Sequence, residues 1–311
     1  MSKTRSVLVT GANGFIGKHV VRALVEMGHE VTVLQRSNDA PPGLREILLV
    51  HQFTPDTVQS ALVGRSFDWV LHLAAYGVDP RDREIEPMFR VNVDVTRALI
   101  AVSGTWPATA VFVAGSGAEY ALQGVDRPVS EDHPLERSKA YGASKAAGTL
   151  CALALAGATQ LPLAVGRLFG VYGPGEAPHR LLPALINRLE KGQRAPLTPG
   201  SQRRDFLYVT DAVEGIIATL TALEKSPRQT VLNVTTGEPK SVRAFAEAVA
   251  QELEAPYDLL GFGDLPMREG EVACFSGEPA RMLAFTGWRP RHDLTTGIAH
   301  AIGLLREEAK A

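Results

Sequence analysis

VLVTGANGFIG, residues 7–17, decides the fold. Its first four residues form an apolar run of the length of a buried strand. The chain then turns through Gly11, Gly14 and Gly17 into an amphipathic stretch, 15–27, with the spacing of a helix. A helix that starts in such a turn points its first free N–H groups at whatever lies there, and glycine lets a pyrophosphate come close to the backbone. The spacing is G-x-x-G-x-x-G, not the G-x-G-x-x-G of larger dehydrogenases. The strand before it and the helix after it supply the context that a lone glycine pattern lacks.

Outward from this turn, EVTVLQ (30–35), ILLVHQ (47–52), DWVLHLAA (68–75), TAVFVAG (109–115) and LPLAVGRL (161–168) read as further buried strands. Long helical stretches at 84–104 and 141–157 lie between them. Such alternation gives an α/β fold, a Rossmann-type doubly wound parallel sheet, expected over residues 1–168 as an NAD(P)-binding domain. From Gly170 on, loops rich in Gly and Pro (173–178, 196–200, 261–270) separate helices near 180–191, 211–223, 241–254 and 294–309. Residues 169–311 therefore read as a smaller α/β substrate-binding domain, some of whose segments return to the sheet.

Composition narrows the partners. Of the 311 residues 45% are apolar and 21% charged, enough for a large core, and the net charge of −2 comes with no basic block. Neither nucleic acid nor a membrane surface is expected as a partner. Cys151 and Cys274 stand in no metal or redox spacing, so no metal site is expected and both read as reduced thiols. Five residues, SVLVT, precede the first glycine turn, too few for a signal peptide, and no apolar run reaches the roughly 18 residues of a membrane span. The expected compartment is the cytoplasm.

The end of the second strand bears on the nucleotide. NAD enzymes of this architecture carry an acidic residue there, which holds the adenosine ribose hydroxyls. This chain has Gln35-Arg36-Ser37, with no carboxylate to repel a 2′-phosphate and a guanidinium at Arg36 to bind it. NADP(H) is the favoured cofactor and NAD(H) a possible one; a solvated loop arginine is the plain alternative for Arg36.

In YGASK, Tyr141 and Lys145 stand four apart and share one helix face. An ammonium beside a phenol favours the phenolate, so the phenol is expected to titrate below its usual value of about 10. Such a group can give or take a proton as a carbonyl and an alcohol interconvert. Ser116 ends the fifth strand, at the sheet edge where ligands bind in such folds, and its hydroxyl can reach the same oxygen. Alone, a tyrosine and a lysine at this spacing are equally a surface pair.

TGANGFIG, HLAA (72–75), NVDVT around Asn92, GSGAEY, YGASK, RLFGVYGPG (167–175), RRDFLYVTD (203–211) and Trp288 with Pro290 follow one another over roughly 7–300. In this order they resemble the extended short-chain dehydrogenase/reductase family, of NAD-dependent epimerase/dehydratase type, whose members modify nucleotide sugars. The resemblance implies Ser116, Tyr141 and Lys145 as the catalytic residues, with Tyr141 and Lys145 also at the cofactor. It implies a dinucleotide lying against Gly11, Gly14, Phe15, Ile16, Gly17 and Ala74. It further implies that Arg204 and Arg268 bind the substrate pyrophosphate beside Ser116, and that two copies pair through the helices at 84–104 and 141–157 as a homodimer.

Three departures matter. Gln52 replaces an aspartate near the adenine, and Gly170 an asparagine that touches the nucleotide sugar. Gly117 and Ala118 stand where 4,6-dehydratases have an acid and a base, and neither can transfer a proton. GSGAEY followed by PVSEDHPL is similar to nucleotide 4-keto-6-deoxyhexose reductases. Reduction of a nucleotide-linked 4-keto-6-deoxyhexose is the expected activity. The alternatives are an epimerase with tightly bound NAD, another oxidoreductase, and a non-catalytic NADP sensor or assembly protein.

Overall fold

The computed structural model describes residues 3–39, 41–79 and 81–308. Its main sheet has seven strands, all parallel: β1 (Ser6–Thr10), β2 (Glu30–Gln35), β3 (Glu46–Leu49), β4 (Trp69–His72), β5 (Ala110–Ser116), β6 (Leu163–Leu168) and β11 (Gln229–Val234). Their order across the sheet is β11-β6-β5-β4-β1-β2-β3, so the direction of winding reverses beside β1. The strands read as continuous apolar runs because both faces are covered. On β1, Val7 and Val9 enter one core and Leu8 the other, all fully buried.

Helix α1 (Phe15–Glu26) follows β1, α2 (Pro55–Ala61) follows β3, and α5 (Ala140–Thr159) lies between β5 and β6. The expected helix 84–104 is not one α-helix. It is α3 (Ile85–Phe89), a π-helical turn (Arg90–Val95) and α4 (Thr96–Ser103). The wide turn directs the Asn92 carbonyl at Gly148 of α5, where a Cβ would lie 2.1 Å from it. A regular turn would forgo that close approach of two backbones. The strand expected at 47–52 stops at Leu49, and His51 and Gln52 are exposed in the bend beyond it.

After β6 come β7 (Gly170–Tyr172), α6 (Leu181–Leu189), β8 (Ala195–Leu197), β9 (Arg203–Arg204) and β10 (Phe206–Tyr208). Helix α7 (Val209–Lys225) and β11 return to the main sheet. The remainder is β12 (Lys240–Ser241), α8 (Val242–Glu252), β13 (Leu260–Phe262), β14 (Cys274–Phe275), α9 (Ala280–Thr286) and α10 (Leu294–Glu308). The last helix was expected to reach 309, which lies outside the described residues. Pairing of β7 with β10, β8 with β13, and β9 with both β12 and β14 ties these segments into small sheets at the carboxyl edge of the large one.

Candidate active site

Parallel strands bring Thr10, Gln35, His72 and Ser116 to one edge of the sheet. The glycine turn beside Thr10 is as tight as its sequence requires. Gly11 has φ +74°, and a Cβ there would sit 2.6 Å from the Ala74 nitrogen; one on Gly17 would sit 2.0 Å from the Gly11 carbonyl. Helix α1 starts at Gly14 with no capping side chain and no acidic residue in its first turn. Its terminal N–H groups are thus available to an anion. Phe15 and Ile16 are half-buried in that first turn, and Ala74 N–H reaches Thr10 Oγ1 at 3.4 Å.

At the end of β2, Gln35 is buried. Its Nε2 donates to the carbonyls of Ser37 (2.6 Å) and Asp39 (3.2 Å), which fixes the amide orientation. Oε1 is left buried with no partner among the described residues, as is Asn13 Oδ1. Asn13 Nδ2 donates to Ser37 Oγ (3.0 Å), joining the glycine turn to the β2 turn. A buried acceptor without a donor is costly, and a ribose hydroxyl would satisfy it. These residues fit a dinucleotide. Arg36 is exposed on the same turn.

Ser116 is the N-cap of a short 3₁₀ turn, Gly117–Glu119. Its Oγ accepts from Ala118 N–H (3.1 Å), and its own N–H donates to Glu119 Oε1 (2.9 Å). Tyr141 is the second residue of α5, and the Ser116 hydroxyl reaches its phenol. Burial pushes that phenol up to about 12, against the Ser116 hydrogen bond, which favours the phenolate. The expected depression by Lys145 is therefore not found. The Lys145 ammonium is buried and donates to the Ala114 carbonyl (2.7 Å), and burial lowers its own pKa while Glu119 opposes the shift. The phenol stands as an acid.

Further residues lock this arrangement. Asn92 accepts from Tyr76 N–H (3.0 Å) and donates to the Tyr76 carbonyl (2.9 Å) and to Ser144 Oγ (3.0 Å). His72 is held neutral, its pKa lowered to about 3 by burial and by Lys145. Thr96 Oγ1 donates to the Asn92 carbonyl (2.9 Å), so it accepts from His72 Nε2 (2.9 Å), and His72 Nδ1 then accepts from Thr10 Oγ1 (2.7 Å). In the sequence Asn92 and His72 stand only inside the motifs NVDVT and HLAA, where a polar side chain interrupting an apolar run is the signal of their role.

Tyr141 opens onto a cavity of about 400 Å³ with an apolar wall of Met88, Ala118, Leu122, Val272 and Phe275. Asp82, Arg83, Glu136 and Lys139 stand on its polar side. Two of the sequence departures have a steric reason. A Cβ on Gly117 would meet Phe169 at 2.6 Å and Phe275 at 2.8 Å, and one on Gly170 would lie 2.1 Å from the Asp205 carbonyl. Arg204 is largely buried, donating to the carbonyls of Arg203 (2.7 Å) and Val272 (2.8 Å) and pairing with Glu271. Burial lowers its pKa; Glu271 opposes this and the charge of Arg268 adds to it. Arg268 itself is exposed. The two arginines thus lie within electrostatic reach of each other, and the Glu271 carboxylate already occupies Arg204.

The family model described as the NAD dependent epimerase/dehydratase family matches residues 7–235. Among curated proteins, the chain is 30% identical to a dTDP-glucose 4,6-dehydratase of Streptomyces griseus, over 96% of this chain and 93% of that one. It is 27% identical to a UDP-glucose 4-epimerase of Neisseria meningitidis serogroup B, over 94% of each. It is also 27% identical to a dTDP-6-deoxy-L-talose 4-dehydrogenase (NAD(P)(+)) of Kitasatospora kifunensis, over 94% and 93%. The solved structure of MoeE5 in complex with UDP-glucose and NAD superposes with a TM-score of 0.84 at 29% identity, covering 98% of this chain and 99% of that one.

Proposed function

The chain belongs to the NAD dependent epimerase/dehydratase family, and from that membership we propose that it reduces the 4-keto group of a nucleotide-linked 4-keto-6-deoxyhexose. The observation that carries this reading is the filled space beside Ser116. Phe169 and Phe275 occupy the volume that a side chain at 117 would need, and Ala118 follows. Gly117 and Ala118 supply no acid–base pair for eliminating water, although a 4,6-dehydratase is among the relatives. The apolar wall of the cavity suits a C6 methyl group, whereas a C6 hydroxyl would need a polar partner.

When bound, the nicotinamide supplies a hydride to C4. Tyr141 Oη gives its proton to the carbonyl oxygen as the alcohol forms, and the Ser116 hydroxyl donates to that oxygen and then to the phenolate. Lys145, its ammonium bonded to the Ala114 carbonyl, would hold the nicotinamide ribose from the same helix. Arg204 and Arg268 are assigned the substrate pyrophosphate, for which Arg204 must exchange its Glu271 partner.

NADP(H) is the favoured cofactor, since Arg36 offers a 2′-phosphate a partner and no carboxylate opposes it. The Gln35 acceptor admits NAD(H) as well. A second reading, an epimerase that keeps its NAD, draws on the segment at 173–176. His19 Nε2 bonds the Pro174 carbonyl (2.8 Å) and Gly175 lies over Phe15, a strap across the dinucleotide turn. Nucleotide 4-keto-6-deoxyhexoses offered with NADPH and with NADH, followed at the nicotinamide absorbance, test the proposal. Turnover with stoichiometric cofactor consumption is expected. C4 inversion of an intact hexose by protein purified with bound NAD would replace this reading with the epimerase one.

We further assign the chain to the cytoplasm as a homodimer. Cys151 and Cys274 are unpaired, and no helix among the described residues is long and apolar enough to cross a membrane. Ile85, Phe89 and Leu150, on the packed helices α3 and α5, are exposed and offer an apolar face to a second copy.

A further inference from the structure

The sequence Ser116-Gly-Ala-Glu119 is a capping box, a device that ordinarily only starts a helix. Here its serine is also the residue assigned to the reacting oxygen, and its glutamate is fully buried. Glu119 Oε1 accepts from Ser116 N–H (2.9 Å), and Oε2 accepts from Thr149 Oγ1 of α5 (2.9 Å) and from Arg167 Nε (2.8 Å). The carboxylate lies against Gly115, where a Cβ would sit 2.7 Å from Oε1. Arg167 lies behind it, its guanidinium 4.4 Å from the Tyr120 ring centre and bonded to the Glu131 carbonyl (3.1 Å). The pair is therefore oriented, its negative end toward the helix that carries Tyr141 and Lys145.

We propose that Glu119 is a positioning residue of this centre, aiming the Ser116 hydroxyl and holding its charge toward the helix that carries Tyr141 and Lys145. The direction of use rests on the reductase reading; the positioning does not. Because Ser116 Oγ already accepts from Ala118 N–H, its own proton is the part left to donate outward. Around the carboxylate stand Arg167 with Glu131 behind it, Tyr120 over the guanidinium, and Tyr141 and Lys145 on α5. Arg180 lies beyond Tyr141, and His72 beyond Lys145. Of these, Glu119 raises the proton affinity of both Tyr141 and Lys145, opposing the effect of burial on the lysine and adding to it on the phenol. A buried carboxylate in this place favours a site that gives a proton over one that takes it.

The test follows the Tyr141 signal in protein labelled with ¹³C at the tyrosine ζ carbon, assigned with Tyr141→Phe, from pH 8 to 12 and without any sugar. Wild type should titrate only at the top of that range. Glu119→Gln should bring the phenol down by tenfold or more in proton affinity. The double variant Glu119→Leu/Arg167→Met replaces the ion pair by apolar groups of similar volume and should show a smaller fall. With whichever 4-keto sugar is reduced, both variants should lose tenfold or more in kcat with KM and cofactor affinity kept. An unchanged Tyr141 titration in the double variant would overturn the proposal. So would a parallel loss of cofactor affinity and thermal stability, or failure of both variants to fold, since a scaffold role would then suffice. If no 4-keto sugar is turned over, the reductase reading fails while the titration still decides the role of Glu119.

Discussion

Replacing Tyr141 by Phe deletes one oxygen, so cofactor binding should persist while turnover falls about a hundredfold or more, as for the loss of a positioned general acid. Steady-state kinetics beside cofactor titration checks this; near-normal turnover would remove Tyr141 from the role. Lys145→Met should weaken cofactor binding too. The sign of the pH effect follows from the raised phenol. Held up to about 12, Tyr141 remains protonated through neutral pH, so reduction should persist into alkaline solution and decline only as pH approaches that value. YGASK alone gave the identities of these two residues but misjudged their electrostatics. Proximity of an ammonium is legible in a spacing of four, whereas burial of both groups is a property of the packed edge and is written in no short motif.

At the scale of elements, the glycine turn and the end of β2 act together through Asn13, Gln35 and Ser37. A charge-assisted contact to a phosphate contributes about 1.5–3 kcal/mol, roughly tenfold to a hundredfold in affinity. Wild type should bind NADPH more tightly than NADH by about that factor. Gln35→Asp with Arg36→Asn should reverse the order, since a carboxylate binds the ribose diol and repels the 2′-phosphate. Fluorescence titration with both reduced cofactors measures it, and tighter NADH binding by wild type would show that Arg36 serves solvent only. A second element-scale expectation concerns the strap. Burial raises Glu176 to about 7, against hydrogen bonds from Gly173 and Arg180. A carboxyl raised on folding contributes stability that is complete below its unfolded value near 4.5 and is lost as pH climbs to about 7. Glu176→Gln should therefore be more heat-stable than wild type at pH 8, by a few degrees, with the gain vanishing near pH 4.5 in a thermal melt. The elements themselves were largely legible, because β1, β4, β5 and β6 are continuous apolar runs. The π-helical turn at 90–95 was not: it accompanies the close approach of Asn92 to Gly148, residues far apart in sequence.

At the scale of the whole molecule, sedimentation should give a species of about twice 33.4 kDa at micromolar concentration, and a species of only that mass would count against the homodimer. Introducing Lys for Leu150, which is 57% exposed on α5, should drive the equilibrium to monomer. The edge strand β11 carries a different consequence, for how the molecule is made. It lies 61 residues beyond the end of β6 in the chain, yet it pairs with all of that strand, from Gln229 on Leu163 to Val234 on Leu168. As the polypeptide leaves the ribosome, the first six strands can assemble while β6 still presents a bare row of amides and carbonyls. Such an edge invites pairing with another nascent chain. A fragment ending at residue 168 should therefore aggregate despite holding the entire dinucleotide turn, and one extended to 235 should remain dispersed. Synthesis past residue 234, and not completion of the Rossmann motif, is then the point at which the growing chain becomes safe from its neighbours.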